Sequence, residues 1–118
     1  MTSRPVHGCI DNVELAVSDI ERSRAFYGAA FNWTFKEYGP RYCEFSDGRI
    51  NGGLTTLSEV KSGGGPLIIL YTDDLEEAKV RLESLGASIV KPIFSFPGGR
   101  RFHFVDPDGY ELAVWSDR

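Results

Sequence analysis

Two glutamates and a histidine are the side chains of this sequence best suited to chemistry. Glu14 lies in an alternating apolar stretch, Val13-Glu14-Leu15-Ala16-Val17, and Glu111 opens another, Glu111-Leu112-Ala113-Val114-Trp115. Successive side chains of a strand point to opposite faces. Glu14 therefore leaves the side of Val13, Leu15 and Val17 and joins Asn12 and Ala16, while Glu111 shares a face with Ala113 and Trp115. Carboxylates held this way bind a cation or a hydroxyl-rich molecule, act as acid and base, or simply form a solvated polar pair. His103 stands between Phe102 and Phe104, so either the imidazole or the two rings face inward. Tyr42, Tyr71 and Trp115 combine an aromatic face with a polar tip and suit a pocket wall, although each alone would serve as core.

Other candidates carry less. Asp106-Pro107-Asp108-Gly109 lacks the remaining ligands and distal glutamate of a calcium loop, and a tight turn is expected there. Phe96-Pro97-Gly98-Gly99-Arg100 has the glycines of an anion cradle but no following helix; a mobile loop is expected, with Arg100-Arg101 at its solvated edge. His7 falls in a polar lead-in and receives no role. Cys9 and Cys43 are too few for a disulfide framework and lack metal-ligand spacing, as expected of reduced structural cysteines in a cytoplasmic protein. No serine or cysteine sits in a nucleophile motif.

The bulk properties exclude whole classes of partner. A formal charge of −4, with scattered basic residues, argues against nucleic acid. No stretch is long enough to span a bilayer and the N-terminus lacks an apolar leader, so no membrane partner is expected. With 118 residues, 42% hydrophobic and 25% charged, the chain reads as one globular domain over 1–118.

The elements that must position these residues come twice. Asp19 and Asp74 lie 55 positions apart, and the same shift carries Ser18 to Asp73 and Glu21 to Glu76, placing a capping residue three before a glutamate in both halves. In the first half the pattern predicts a strand over 10–17 and a helix over 19–31 that buries Ile20, Phe26, Tyr27, Ala30 and Phe31. Strands over 33–39, 41–45 and 50–57 follow, separated by Gly39-Pro40 and Asp47-Gly48. Ser62-Gly63-Gly64-Gly65-Pro66 is a flexible connector. Beyond it come a strand over 67–72 and a helix whose stripe, Leu75, Ala78, Leu82 and Leu85, stops at Gly86. Strands over 88–92, 101–105 and 111–115 complete the second half. Asp47-Gly48 matches Asp108-Gly109 at a shift of 61, so about six extra residues are expected within 94–100. The result is an α+β chain of two βαβββ modules, at 10–60 and 66–116.

Two motifs on these modules resemble a known family. The stretch Val17-Ser18-Asp19-Ile20-Glu21-Arg22-Ser23-Arg24-Ala25-Phe26-Tyr27 is similar to the first strand–helix junction of the vicinal oxygen chelate superfamily of glyoxalase I, bleomycin-resistance proteins and extradiol dioxygenases. Phe104-Val105-Asp106-Pro107-Asp108-Gly109-Tyr110-Glu111-Leu112 is similar to its closing hairpin. The resemblance implies an open eight-stranded cup with helices outside, a ligand or metal inside, and a homodimer. In metal-dependent members four strand side chains hold a divalent ion, and the carry-over places them at Asn12, Gly52, Leu67 and Ala113. Leucine, alanine and glycine offer no lone pair and a lone asparagine amide is a poor ligand, so neither a metal nor another cofactor is expected.

The leading expectation is a metal-independent, non-catalytic protein that binds a cationic or polyhydroxylated small molecule in the cup between its modules. Its ligand-binding residues would be Asn12, Glu14, Tyr42, Leu67, Tyr71, His103, Glu111, Ala113 and Trp115, with the net acidity and Glu44 favouring such ligands. A glyoxalase-like lyase using Glu14, Glu111 and His103 as acid–base groups is the alternative. An interaction protein whose cup is filled by its own side chains is the third.

Overall fold

The computed structural model describes residues 5–118, which fall into two compact units that meet between Lys61 and Ser62. Each unit has one helix and one four-stranded mixed sheet, in the order strand, helix, three strands.

In the first unit β1 (Asn12–Ala16) leads into α1 (Ile20–Phe31), followed by β2 (Thr34–Glu37), β3 (Tyr42–Ser46) and β4 (Asn51–Thr55). The sheet order is β1-β4-β3-β2, with β1 parallel to β4 and the other pairs antiparallel. Asp19 caps α1, its carboxylate accepting the Arg22 N–H at 3.1 Å, and Asn32 at φ 61 closes the other end. The cap is thus one residue later than Ser18, and no Glu sits three residues beyond it. Alternation sends Leu15, Val17, Cys43, Phe45 and Leu54 into the core beneath Phe26, Tyr27 and Ala30. Ile20 and Phe31, expected in that core, are only half-buried, and the small Ser23 is buried instead. The core is an aromatic stack, with Trp33 lying 4.5 Å from Tyr27 and 4.3 Å from Phe45 between ring centroids. Trp33 precedes β2 rather than opening it.

In the second unit β5 (Ile68–Tyr71) leads into α2 (Leu75–Ser84), followed by β6 (Ser88–Phe96), β7 (Gly99–Val105) and β8 (Glu111–Ser116), ordered β5-β8-β7-β6. Asp74, one residue past Asp73, caps α2 by accepting the Glu77 N–H at 3.1 Å. Leu75, Ala78 and Leu82 pack on Phe102, Phe104, Leu112 and Val114, whereas Leu85 is the C-cap and is exposed. The backbone then turns at Gly86, whose φ of 88 a residue with a Cβ would adopt only under strain.

The expected mobile loop at 94–100 is a β-hairpin. β6 has nine residues and β7 seven, against four and five in β2 and β3, and a two-residue turn at Pro97-Gly98 joins them. Proline presets the first turn position and Gly98, at φ 107, supplies the second. Pro92 misled the strand boundary: it has no N–H, but β6 is an edge strand whose register shifts on both sides of Lys91, so no ladder bond is lost. Arg100 and Arg101 accordingly lie in β7, not on a loop edge.

Equivalent bonds fix how the modules correspond. Val17 N–H donates to the Thr55 carbonyl at 2.8 Å and Thr72 N–H to that of Trp115 at 2.9 Å. Trp115 therefore matches Thr55 and Ala113 matches Gly53, so the second unit carries one residue fewer than the six expected. Gly52, the residue assigned by the 61-residue shift, faces the helix side, because a single-residue slip reverses a strand's faces. Among the described residues no helix is long and apolar enough to cross a membrane.

Candidate functional site

Each sheet turns one face to its helix and leaves the other open, and the candidate residues stand on the open faces. In the first sheet three rows cross β1, β4 and β3: Asn12, Asn51 and Ser46; Glu14, Gly53 and Glu44; Ala16, Thr55 and Tyr42. Tyr42 Oη donates to Glu14 Oε2 at 2.9 Å, and the phenol reaches it by lying across Gly53. A Cβ on Gly53 would stand 2.2 Å from Tyr42 Oη, so the contact needs glycine. Burial, then the Glu14 hydrogen bond, pushes the Tyr42 hydroxyl up to about 12. Asn51 Nδ2 donates to Glu44 Oε2 at 3.3 Å. Asn12, Tyr42, Glu44, Arg49 and Asn51 are among the residues lining a hollow of about 290 Å³ at this end of the sheet.

The second open face is built differently. Ile69 and Tyr71 of β5 pair with Ala113 and Trp115 of β8, which pair in turn with His103 and Arg101 of β7. Leu67 lies just before β5 and is exposed, as are Ile69 and Tyr71. The rings of Tyr71 and Trp115 meet edge to face at 5.2 Å, and Tyr71 Oη donates to Asp117 Oδ1 at 2.7 Å. That hydrogen bond, before any burial, raises the Tyr71 pKa.

Phe102 and Phe104 face the helix side and His103 the open side, yet all three are buried, with His103 only 3% exposed. His103 Nδ1 lies 2.7 Å from Glu111 Oε2. Glu111 is consequently not a free anchor, and Glu14 is engaged by Tyr42.

Three residues that sequence reasoning passed over belong to this face. The Arg101 guanidinium lies 5.3 Å from the Phe94 ring centre and 5.8 Å from that of Phe96. Phe96 also packs 6.2 Å from Trp115. Alternation within Arg100-Arg101 was the available signal. Arg100 turns to the helix side, where a guanidinium nitrogen donates to Glu76 Oε1 at 3.1 Å, and its neighbour must point the other way. That bond lowers the Glu76 pKa.

Cys43 is buried on the helix side, and burial pushes its thiol up, as suits an inert core residue. Cys9 is exposed in the lead-in, so it is not the structural cysteine expected. Asp106 forms the expected turn, its carboxylate accepting the N–H of Asp108 at 2.9 Å and of Tyr110 at 3.0 Å.

The resemblance assigns a metal to Asn12, Gly52, Leu67 and Ala113, and the register moves the second position to Gly53, which faces the open side. With Gly53 in place of Gly52 the set still lacks imidazole, thiolate and carboxylate, and does not fit a transition-metal ion. Among the described residues no group of three or more His, Cys, Asp and Glu comes together as metal ligands.

Comparison with known proteins places this architecture. The chain matches a fosfomycin resistance protein, FosX, from Listeria monocytogenes, crystallised as a mutant with Mn(II) and a dihydroxypropylphosphonic acid, at a TM-score of 0.80 and 19% identity over 93% of this chain and 90% of that one. TioX from Micromonospora sp. ML1 matches at a TM-score of 0.74 and 24% identity, over 94% and 100% of the two chains. A lactoylglutathione lyase from Agrobacterium tumefaciens matches at a TM-score of 0.73 and 21% identity, over 92% and 93%. At these identities the likeness is one of fold. No curated protein shows a significant sequence match. The family model described as Glyoxalase/Bleomycin resistance protein/Dioxygenase superfamily matches residues 9–114, and the chain belongs to that superfamily.

Proposed function

We propose that this protein binds a small organic molecule on the open faces of its sheets without a metal ion. One observation carries the reading: the four positions are Asn12, Gly53, Leu67 and Ala113, while the same faces keep hydrogen-bonded polar pairs and exposed apolar side chains. On the first sheet Glu14, Glu44 and the hollow beside them favour a cationic or polyhydroxylated ligand. A homodimer belongs to the same reading, because β2 and β6 end their sheets with unpaired edges that a second copy would cover.

Protein purified without chelator should contain no stoichiometric zinc, nickel, iron or manganese, and EDTA should leave its Tm unchanged. About one metal per chain by elemental analysis would overturn the reading. A glyoxalase-like lyase is the second reading, favoured by the 2.7 Å His103–Glu111 contact, which holds an imidazole in one orientation as acid–base catalysis requires. Turnover of the hemithioacetal of glutathione and methylglyoxal, lost in His103→Gln, would decide for it.

A further inference from the structure

Two buried side-chain nitrogens among the described residues have no hydrogen-bond partner, Arg101 Nε and His103 Nε2, and both stand on the open face of β7, two residues apart. Buried polar atoms are nearly always paired, and each exception calls for an explanation, a bound species among them. The two orphans are chemically complementary. His103 Nδ1 stands 2.7 Å from Glu111 Oε2, and in the neutral imidazole a proton on Nδ1 leaves Nε2 as an acceptor. Arg101 is donor only, and among the described residues its guanidinium has neither a hydrogen-bond nor an ion-pair partner.

Their spacing narrows the ligand. Residues two apart on a strand are separated by about 6.8 Å, a gap spanned by two hydrogen bonds to one short group that offers an anionic oxygen on one side and a hydroxyl on the other. The surroundings are aromatic. The Phe94 ring lies 5.3 Å from the guanidinium and 5.9 Å from the imidazole, with Phe96 and Trp115 next along the face. Phe94 is 37% exposed and stands where the β6 register shifts, on an edge strand free to yield. We propose that Arg101 and His103 form a binding site for an aryl-substituted 2-hydroxycarboxylate. Arg101 takes the carboxylate, His103 Nε2 accepts the hydroxyl proton in a hydrogen bond, and Phe94 swings aside so that the ligand ring packs against it.

This site rests on the reading that the open faces bind a small organic molecule and names the chemistry of one of them; a metal found in the protein would overturn the metal-free part of that reading and leave this site intact. The probes are mandelate, phenylacetate, which lacks the hydroxyl, and benzyl alcohol, which lacks the carboxylate, titrated by calorimetry. Wild type should bind mandelate about tenfold more tightly than phenylacetate, the scale of one hydrogen bond between neutral groups, and benzyl alcohol not measurably. Arg101→Gln should weaken both acids about tenfold or more, and His103→Phe should bind the two acids equally. If His103→Phe fails to fold, ring resonances in the wild-type protein decide: mandelate should shift those of His103 and leave those of His7 in place. Absence of saturable mandelate binding at about 10 mM, an unmoved His103, or full affinity in Arg101→Gln would overturn the proposal.

Discussion

Gly52 and Gly53 are adjacent and buried on β4 and face opposite ways, so one added methyl group tests the face assignment at each. At Gly52 the new Cβ would lie 2.2 Å from Phe45 Cζ and 2.3 Å from the Val13 carbonyl oxygen. The second contact is backbone of the paired strand, and the first is a ring stacked 4.3 Å from Trp33, so neither yields without loosening the sheet or the core. Gly52→Ala should cost about 3 kcal/mol or more, the upper end of overpacking. At Gly53 the clash is with the far end of Tyr42, a partly exposed side chain that swings out at the expense of its bond to Glu14. That loss is about 1.5–3 kcal/mol, offset by about 0.5–1 kcal/mol from removing a strand glycine, for a net cost of about 0.5–2.5 kcal/mol. The discriminating measurement is urea denaturation in a Tyr42→Ala background. There Gly53→Ala should become neutral or stabilising by about 0.5 kcal/mol, while Gly52→Ala keeps its full cost. A Gly53→Ala penalty that persists without Tyr42, or equal penalties at the two glycines, would refute the assignment of Gly53 and Tyr42 to the open face.

Glu111→Ala leaves the Nδ1 proton of a buried imidazole unpaired and should cost about 1–3 kcal/mol by thermal denaturation, whereas Glu111→Gln keeps an acceptor and should cost under about 1 kcal/mol. The Tyr42 hydroxyl should ionise late, at about 12 by tyrosinate absorbance. Because the fold favours its neutral form, the stability it lends is complete below the unfolded value of about 10 and is lost as pH climbs from there towards 12; Tyr42→Phe should flatten that alkaline loss.

The duplicated modules were legible because their signals are local. Alternation at Val13, Leu15 and Val17, capping aspartates at 19 and 74, and aspartate–glycine turns each act within a few residues, and each recurs. The errors have equally local causes. Pro92 reads as a strand end unless the strand is known to be an edge, which only pairing reveals. Gly52 and Gly53 cannot be told apart by sequence, and a one-residue misalignment moved the assigned position to the wrong face. His103 was ambiguous because it and both flanking phenylalanines are buried, His103 with Phe94 and Glu111 against it on the open face. Arg101 escaped notice because a basic doublet suggests solvent, and its aromatic neighbours come from the strand that Pro92 concealed.

The register between modules shows where the two halves diverged. The helix-facing positions remain apolar: Leu15 and Leu54 correspond to Leu70 and Val114, and Phe45 to Phe104. On the open faces, the same comparison sets Glu14 against Ile69, Gly53 against Ala113, Thr55 against Trp115, Glu44 against His103 and Tyr42 against Arg101. Packing against a helix restricts a position to apolar side chains of suitable volume, so both copies keep such residues. The open face carries no such restriction, and there one copy presents acids and a phenol while the other presents a cation, an imidazole and aromatic rings. A duplicated metal site would require donors at matching positions of both copies, and Asn12, Gly53, Leu67 and Ala113 themselves offer none beyond an amide. What the two faces retain is a different set of hydrogen-bonding groups in each, which supports the proposed recognition of an asymmetric organic molecule over that of a spherical ion.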